Sequence, residues 1–400
     1  MTTTLDKKQL SQILTPNVRR IMTVLNTAGE TRVVGGVVRD VLRARKTGDI
    51  DLATTLPPER VMEILTPLGF KTVPTGLEFG TVTAVTDHIG FEITTLRRDV
   101  ETDGRHATVA FTDDWRADAA RRDFTFNALY VDSDGHLYDY FGGAEDAKSG
   151  HVRFIGDAQA RIREDILRIL RFFRFYALFG LGDADADAVA ACNELADLIP
   201  SLSAERIARE IKKLLTAENP LPAWHLMTDC DVTSRFLPEA TDLARLQKLL
   251  DAEQEHSAPT SEWVRLAALL PQDENIAAAV ATRLKLSKHT LETLRVLAKL
   301  PALLHGNLAP AALRRLIYKY GADDCRAAVL LGGEKIAPAL ATLAAWESPV
   351  FPVKGEDIVK LGIPAGPRVG KILRAAEEWW IASDFRADRA AVLEQVHSHK

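Results

Sequence analysis

From about residue 157 to the end of this 400-residue chain, almost nothing reads as a strand. Ala, Leu and Arg recur there at helical spacing, so this stretch has to be built from packed helices. Residues 31–140 follow another pattern, in which short β-rich runs alternate with helical pieces. TRVV (31–34) and DIDLATT (49–55) predict strands, and GVVRDVLRAR (36–45) predicts a helix between them. PPERVMEILTPLG (57–69) predicts a helix with Pro at its opening turn and Gly at its end. FGTVTAVTD (79–87) and FEITTL (91–96) alternate like two paired strands. The expected class is α+β: a mixed-sheet head with helices, followed by an elongated all-α part.

Within the helical part, ARIREDILRILRFFRFYALF (160–179) predicts one long helix, with Ile162, Ile166, Ile169, Leu170, Phe173 and Ala177 on an apolar stripe. SAERIAREIKKLL (203–215) predicts a helix opened by Ser203 as N-cap. The expected organisation is a head over 1–140, a helical neck over 141–215, a body over 216–280 and a tail over 281–400. No internal repeat or low-complexity tract interrupts it.

No run reaches the roughly 18 apolar residues that a membrane span needs, and MTTTLDKKQL has neither an apolar core nor an Arg-rich leader. The three cysteines (Cys192, Cys230, Cys325) form no CxxC pair, which argues against a disulfide framework or zinc site. A cytoplasmic location is expected. The net charge of −5 argues against a chain coated in nucleic acid, yet basic residues cluster locally. Arg283, Lys285, Lys288, Arg295, Lys299, Arg314, Arg315 and Lys319 lie in a stretch with Glu292 as the one acid, and they are the expected RNA-facing set.

The densest chemical constellation is VVGGVVRDVLRARKTGDIDL (33–52). A strand ending in Gly35-Gly36 and turning into a helix lets backbone N–H groups approach a phosphate, with Arg39 one turn further on. On the next strand Asp49 and Asp51 are expected to share a face and to bind Mg²⁺, a hard cation that takes oxygen ligands. Glu92 is the candidate third acid of a two-metal clamp. In Arg121-Arg122-Asp123-Phe124-Thr125-Phe126-Asn127, Arg122 is placed to hold triphosphate oxygens. Asp123 and Asn127, at i and i+4 on one helix face, are placed to meet a ribose hydroxyl.

GGxxRD with DxD, RRDFTxNA, YDYFGG (138–143) and EDxxR continuing to Arg174 together resemble the class II CCA-adding enzymes, which are tRNA nucleotidyltransferases of the polymerase-β superfamily. The resemblance implies a polymerase-β-like nucleotidyltransferase head, two Mg²⁺ ions held by Asp49 and Asp51, CTP and ATP as substrates, and tRNA as partner. No membrane and no obligate protein partner are implied. It gives Gly36 and Arg39 to the incoming nucleotide and places Arg122, Asp165, Arg168, Arg171 and Arg174 around its pocket. On one continuous helix Asp165 and Arg168 would be neighbours, while Arg174 would drift to nearly the opposite side. A carboxylate that accepts from the exocyclic amine of C or A, beside a donating guanidinium, would refuse G and U.

The polar stretch Arg98–Trp115 lacks strand or helix periodicity and resembles the family's flexible loop; its DGRHA sequence favours complete CCA addition over a CC-only or A-only enzyme. A poly(A) polymerase shares this head, but its basic run between DxD and the third acid is replaced here by TGLEFGTVTAVTD. A non-catalytic RNA-binding protein is the remaining alternative, disfavoured by the presence of all three acids. The usual metal-dependent phosphohydrolase appendage is excluded, because no His-Asp dipeptide occurs.

Overall fold

The computed structural model describes residues 3–103, 106–304, 309–332 and 335–398. Its contacts divide into two compact units, Met1–Pro238 and Glu239–Lys400.

The described residues of the first unit hold ten strands: β1 Thr3–Thr4, β2 Thr31–Val34, β3 Asp51–Thr54, β4 Lys71–Gly76, β5 Thr81–Thr86, β6 Ile89–Thr95, β7 Arg97–Asp103, β8 His106–Phe111, β9 Leu129–Val131 and β10 His136–Asp139. Eight of them form a mixed sheet in the order β1-β10-β9-β2-β3-β6-β5-β4. Period-two alternation sorts the side chains onto two faces. Val33, Leu52, Ile93 and Val131 pack with Ile21, Val38 and Val61 from helices on one side. Val34, Ala53 and Tyr130 face the other way, where Trp115 and Ala119 of the helix Trp115–Ala120 cover them.

β3 pairs antiparallel with β2 but parallel with β6, with Leu52 opposite Ile93 and Ala53 opposite Thr94. One residue earlier in the same register, Asp51 lies beside Glu92. The predicted pairing of the 79–87 and 91–96 runs holds as β5 against β6, turned by Asp87 and His88 in the left-handed region. β4, on the edge of the sheet, was not anticipated: its TVP sequence has no clean alternation.

Three departures from the sequence reading shape the site. The helix after β2 spans Gly36–Leu42 and stops short of residue 45. Ala44 turns left-handed there, and the Arg43 and Arg45 guanidiniums donate to the carbonyls of Phe179 and Leu178 at another helix end. The segment beyond Arg97 is ordered as strands: β7 and β8 form a hairpin with a register shift between Asp99 and Glu101, which masks the periodicity. Gly104 and Arg105 of the DGRHA stretch lie outside the described residues. Finally, the long helix expected over 160–179 is two helices, Ala158–Glu164 and Leu167–Phe179. Asp165 between them is extended (φ −149°, ψ 105°), and its carboxylate accepts from the Leu167 N–H at 3.2 Å, starting a new helix.

The YDYFGG motif docks the sheet against the RRDFTFNA segment. Asp139 accepts from the N–H groups of Gly143 and Ala144, both at 2.9 Å, which opens the helix Gly143–Ser149. A Cβ on Gly143 would lie 2.1 Å from the Thr125 carbonyl oxygen, so only glycine allows this approach. Gly143→Ala is expected to cost about 3 kcal/mol in urea unfolding, since backbone cannot yield as a side chain does. Undiminished stability would show that the two segments separate readily.

The second unit is helical, from Leu243–Glu255 to Arg389–Ser398, with no strand among the described residues. Its last helices pack Ile358, Trp380 and Val392 into a small core against Tyr318. Among the described residues no helix is long and apolar enough to cross a membrane.

Candidate active site

A cleft of about 450 Å³ opens in the first unit. Gly36, Arg39, Asp51, Arg122, Asp123, Asn127, Asp165, Arg168, Arg171 and Arg174 line it, joined by Gly35 and Phe175. Ten residues singled out in sequence, spread over 139 positions, thus meet at one surface.

The glycine turn shapes the cleft's edge. Gly35 sits at φ +79°, ψ −132°, a conformation side chains rarely adopt, and it reverses the chain from β2 into the helix that bears Arg39. Arg39 is buried, with its guanidinium carbon 4.0 Å from the Phe179 ring centroid and Nη1 donating to Asn127 Oδ1 at 2.9 Å. Burial lowers its pKa against the pull of Asp40.

A continuous polar rail follows. Asn127 Nδ2 donates to Asp123 Oδ1 at 3.0 Å, and Arg171 Nε donates to Asp123 Oδ2 at 2.8 Å. Burial alone would raise the Asp123 carboxyl; the Arg171 charge and the Asn127 bond bring it down to about 2. Asp123 and Asn127 do meet, but not on a helix face as expected. The helix Trp115–Ala120 has already ended, and Thr125–Asn127 is a short 3-10 turn. Both side chains face Arg39 and Arg171 as partners, so a ribose would have to share them.

The three acids are not equivalent. Asp51 opens β3 and lines the cleft. Its pKa rises to about 6, because burial and the charge of Glu92 outweigh the pull of Arg122, with a smaller push from Asp49. Asp49 is exposed and stands ahead of the strand, so β-alternation does not set its face. Glu92 is exposed on β6 at the position beside Asp51. Neither Asp49 nor Glu92 lines the cleft. Among the described residues, the one trio with ligand atoms within 4.8 Å of one another is Asp132, Asp134 and His136. That trio forms the turn between β9 and β10, where Asp132 accepts from the backbone N–H groups of Asp134 and His136.

The helix break changes the reading of the base-facing residues. Asp165 is not one helical turn from Arg168 on a shared face. Its two carboxylate oxygens accept from Arg206 Nη2 at 2.9 and 3.0 Å. Arg168 Nη1 instead donates to Glu164 at 2.6 Å and to the Arg161 carbonyl at 2.7 Å. Arg174 stays on the cleft wall despite its helical drift, stacked 3.9 Å over Phe175 and paired with Glu210. Arg206 and Glu210 were missed in sequence, although the ERIARE segment was noted. Glu210 falls among the buried Ile207, Ala208, Ile211 and Leu214, and a carboxylate inside an apolar stripe is the signal that a charged partner is near. Ser203 does occupy the N-cap of that helix, without a side-chain capping bond.

The basic set of the second unit is partly neutralised. Arg283 pairs with Glu239, Arg295 with Glu292, Lys299 with Glu274 and Arg314 with Asp384. Arg315 donates to the Ala382 carbonyl at 3.1 Å, and the Lys319 ammonium lies 5.2 Å from the Tyr320 ring centroid. Lys285 and Lys288 are exposed. A linear charge count cannot register carboxylates that fold back from Glu239 or Asp384.

Comparison with known proteins agrees with this geometry. Residues 31–153 match the family model described as the poly A polymerase head domain, and residues 185–243 match the probable RNA and SrmB-binding site of polymerase A. The chain is 36% identical over 377 residues to the mitochondrial CCA tRNA nucleotidyltransferase 1 of Mus musculus, covering 92% of this chain and 86% of the relative. It is 30% identical over 398 residues to the CCA-adding enzyme of Levilactobacillus brevis, covering 94% and 96%. A crystal structure of the Bacillus stearothermophilus CCA-adding enzyme in complex with CTP superposes with a TM-score of 0.75 at 25% identity, over 98% of both chains. With Gly36 and Arg39 of GGxxRD, Asp51 of DxD, and residues of RRDFTxNA and EDxxR around one cleft, and these identities along nearly the whole length, the chain belongs to the family of CCA-adding enzymes, the CCA tRNA nucleotidyltransferases.

Proposed function

We propose that this chain adds C, C and A in turn to the 3′ end of tRNA, taking CTP and ATP and releasing pyrophosphate. The observation that carries the reading is the cleft itself, one surface lined by Asp51, by Asp165 and Arg168, and by Arg39, Arg122, Arg171 and Arg174. The terminal ribose 3′-hydroxyl attacks the α-phosphate of the bound nucleotide, a new P–O bond forms, and the bond to the pyrophosphate oxygen breaks. Arg39, Arg122 and Arg171 bind phosphate oxygens and offset charge that grows in the transition state. Asp165 and Arg168 take the Watson–Crick edge of the base, with Arg206 fixing the carboxylate and Arg174 a wall of the pocket.

Asp49, Asp51 and Glu92 offer only hard oxygen donors, and burial beside Glu92 leaves Asp51 short of positive charge. That chemistry fits Mg²⁺. When bound there, divalent cations supply Lewis acidity at the phosphates. RNA is held largely by its backbone, with the exposed Lys285, Lys288, Arg315 and Lys319 as the part of the 283–319 set best placed for phosphate. The three cysteines are buried free thiols, suited to a reducing compartment, which we take to be the cytoplasm.

The test uses tRNA lacking its last three nucleotides. CTP alone is expected to extend it by two residues, ATP alone by none, and the two together by three. Long A-tails from ATP alone would make the chain a poly(A) polymerase instead, and arrest after two or before the first would mark a CC-only or A-only enzyme.

A further inference from the structure

The residue that holds the two arginines of the RRDFTFNA segment lies outside that motif. Asp118, in the helix Trp115–Ala120, has 1% of its side chain exposed. Four groups donate to it: Arg121 Nε at 2.8 Å, Arg122 Nη2 at 3.2 Å, the Tyr130 hydroxyl at 2.8 Å and the backbone N–H of Arg97 at 3.3 Å. The Tyr130 hydroxyl closes a triangle by accepting from Arg122 Nε at 3.2 Å. Burial would raise the Asp118 carboxyl, but the charges of Arg122 and Arg121 with the Tyr130 bond bring it down to about 2. It is therefore an anion throughout the working pH range.

The same fixture reaches Arg168 and Arg161 through the main chain. The Arg121 carbonyl accepts from Arg168 Nη2 at 3.1 Å, and the Arg122 carbonyl accepts from Arg161 Nη2 at 2.6 Å. Arg122 and Arg168 both line the cleft, whereas Asp118 does not.

We infer that Asp118 is the positioning residue of the nucleotide pocket, one buried carboxylate that fixes Arg122 by direct contact and Arg168 through the Arg121 carbonyl. A carboxylate suits the role because it accepts from several donors at once and balances two adjacent guanidiniums away from water. A neutral amide keeps the volume but leaves a buried positive charge without its counterion. The inference deepens the nucleotidyltransferase reading and rests on it for the identity of the ligand.

The test compares Asp118→Asn with the parent protein. CTP binding is measured calorimetrically without RNA, then KM and kcat are measured for CTP, ATP and tRNA. Because Arg122 and Arg168 hold the nucleotide and Arg122 also offsets transition-state charge, KM for CTP and for ATP is expected to rise about tenfold with a fall in kcat beside it, while the KM for tRNA stays within about twofold. Unchanged nucleotide KM in folded Asp118→Asn overturns the inference, as does a rise in the KM for tRNA of the same size, which marks general loosening. Parent protein that binds neither CTP nor ATP would overturn the reading of the site together with it. Should Asp118→Asn fail to fold, Tyr130→Phe removes only the hydroxyl that bridges Asp118 and Arg122. It is expected to raise the same two KM values about threefold, and no rise there is equally decisive against the inference.

Discussion

Asp51→Ala is expected to reduce nucleotide incorporation at least about 1,000-fold while tRNA binding stays within about twofold. Asp51 is the member of the acid trio that both lines the cleft and feels the other two, so its removal takes the one cleft-lining carboxylate from the three. Its cost in stability runs the other way. A carboxylate whose pKa is raised in the folded state, here from 3.8 to about 6, destabilises it progressively as pH rises between those values and fully above the upper one. The melting temperature of the variant in chelator at neutral pH is accordingly expected to match or exceed the parent's. Primer extension, filter binding and thermal melting separate these outcomes. Surviving turnover would remove Asp51 from the catalytic assignment, and a sharp loss of melting temperature would show a structural role instead.

The second large effect concerns selectivity. Asp165→Ala is expected to lower incorporation of CTP and ATP about 100-fold or more, with UTP and GTP falling far less, so that preference among the four collapses. A site that hydrogen-bonds an exocyclic amine rejects bases lacking it because its polar group is left unpaired; without the carboxylate that penalty disappears. The loss also releases Arg206, whose Nη2 bridges both Asp165 oxygens, so the surface behind the pocket is freed at the same time. Extension of tRNA ending in the first C reads CTP against UTP and GTP, and extension of tRNA ending in the second C reads ATP against the same two, with each nucleotide supplied singly. Intact preference for CTP and ATP in this variant would place base selection elsewhere in the cleft.

Much of this was legible in the sequence, because local rules and the fold agreed. The Gly35-Gly36 turn, the β5–β6 pair and the helix Pro58–Leu65 follow from glycine freedom, alternation and proline placement, each acting over a few residues. The break at Asp165 did not show, since an apolar stripe at spacings of three and four continues across a two-residue discontinuity with its hydrophobics still buried. The β7–β8 hairpin was hidden by its register shift. Arg206, Glu210 and the ion pairs of Arg283 and Arg314 depend on contacts between segments 36 to 70 residues apart, and no window of sequence holds both partners.

The ladder between β3 and β6 has a consequence for how this chain tolerates change. Asp51 and Glu92 are neighbours because main-chain bonds lock two parallel strands, with a separation set by the roughly 4.8 Å strand spacing and not by either side chain. Loop insertions elsewhere leave that spacing alone. Deleting one residue from the Asp87-His88 reversal is different: it slides the strand by one step and swaps Phe91 with Glu92, driving an acid into the interior and an aromatic ring into water. The acidic centre is thereby robust to substitution nearly everywhere in the sheet and fragile to a single frame slip in one tight turn.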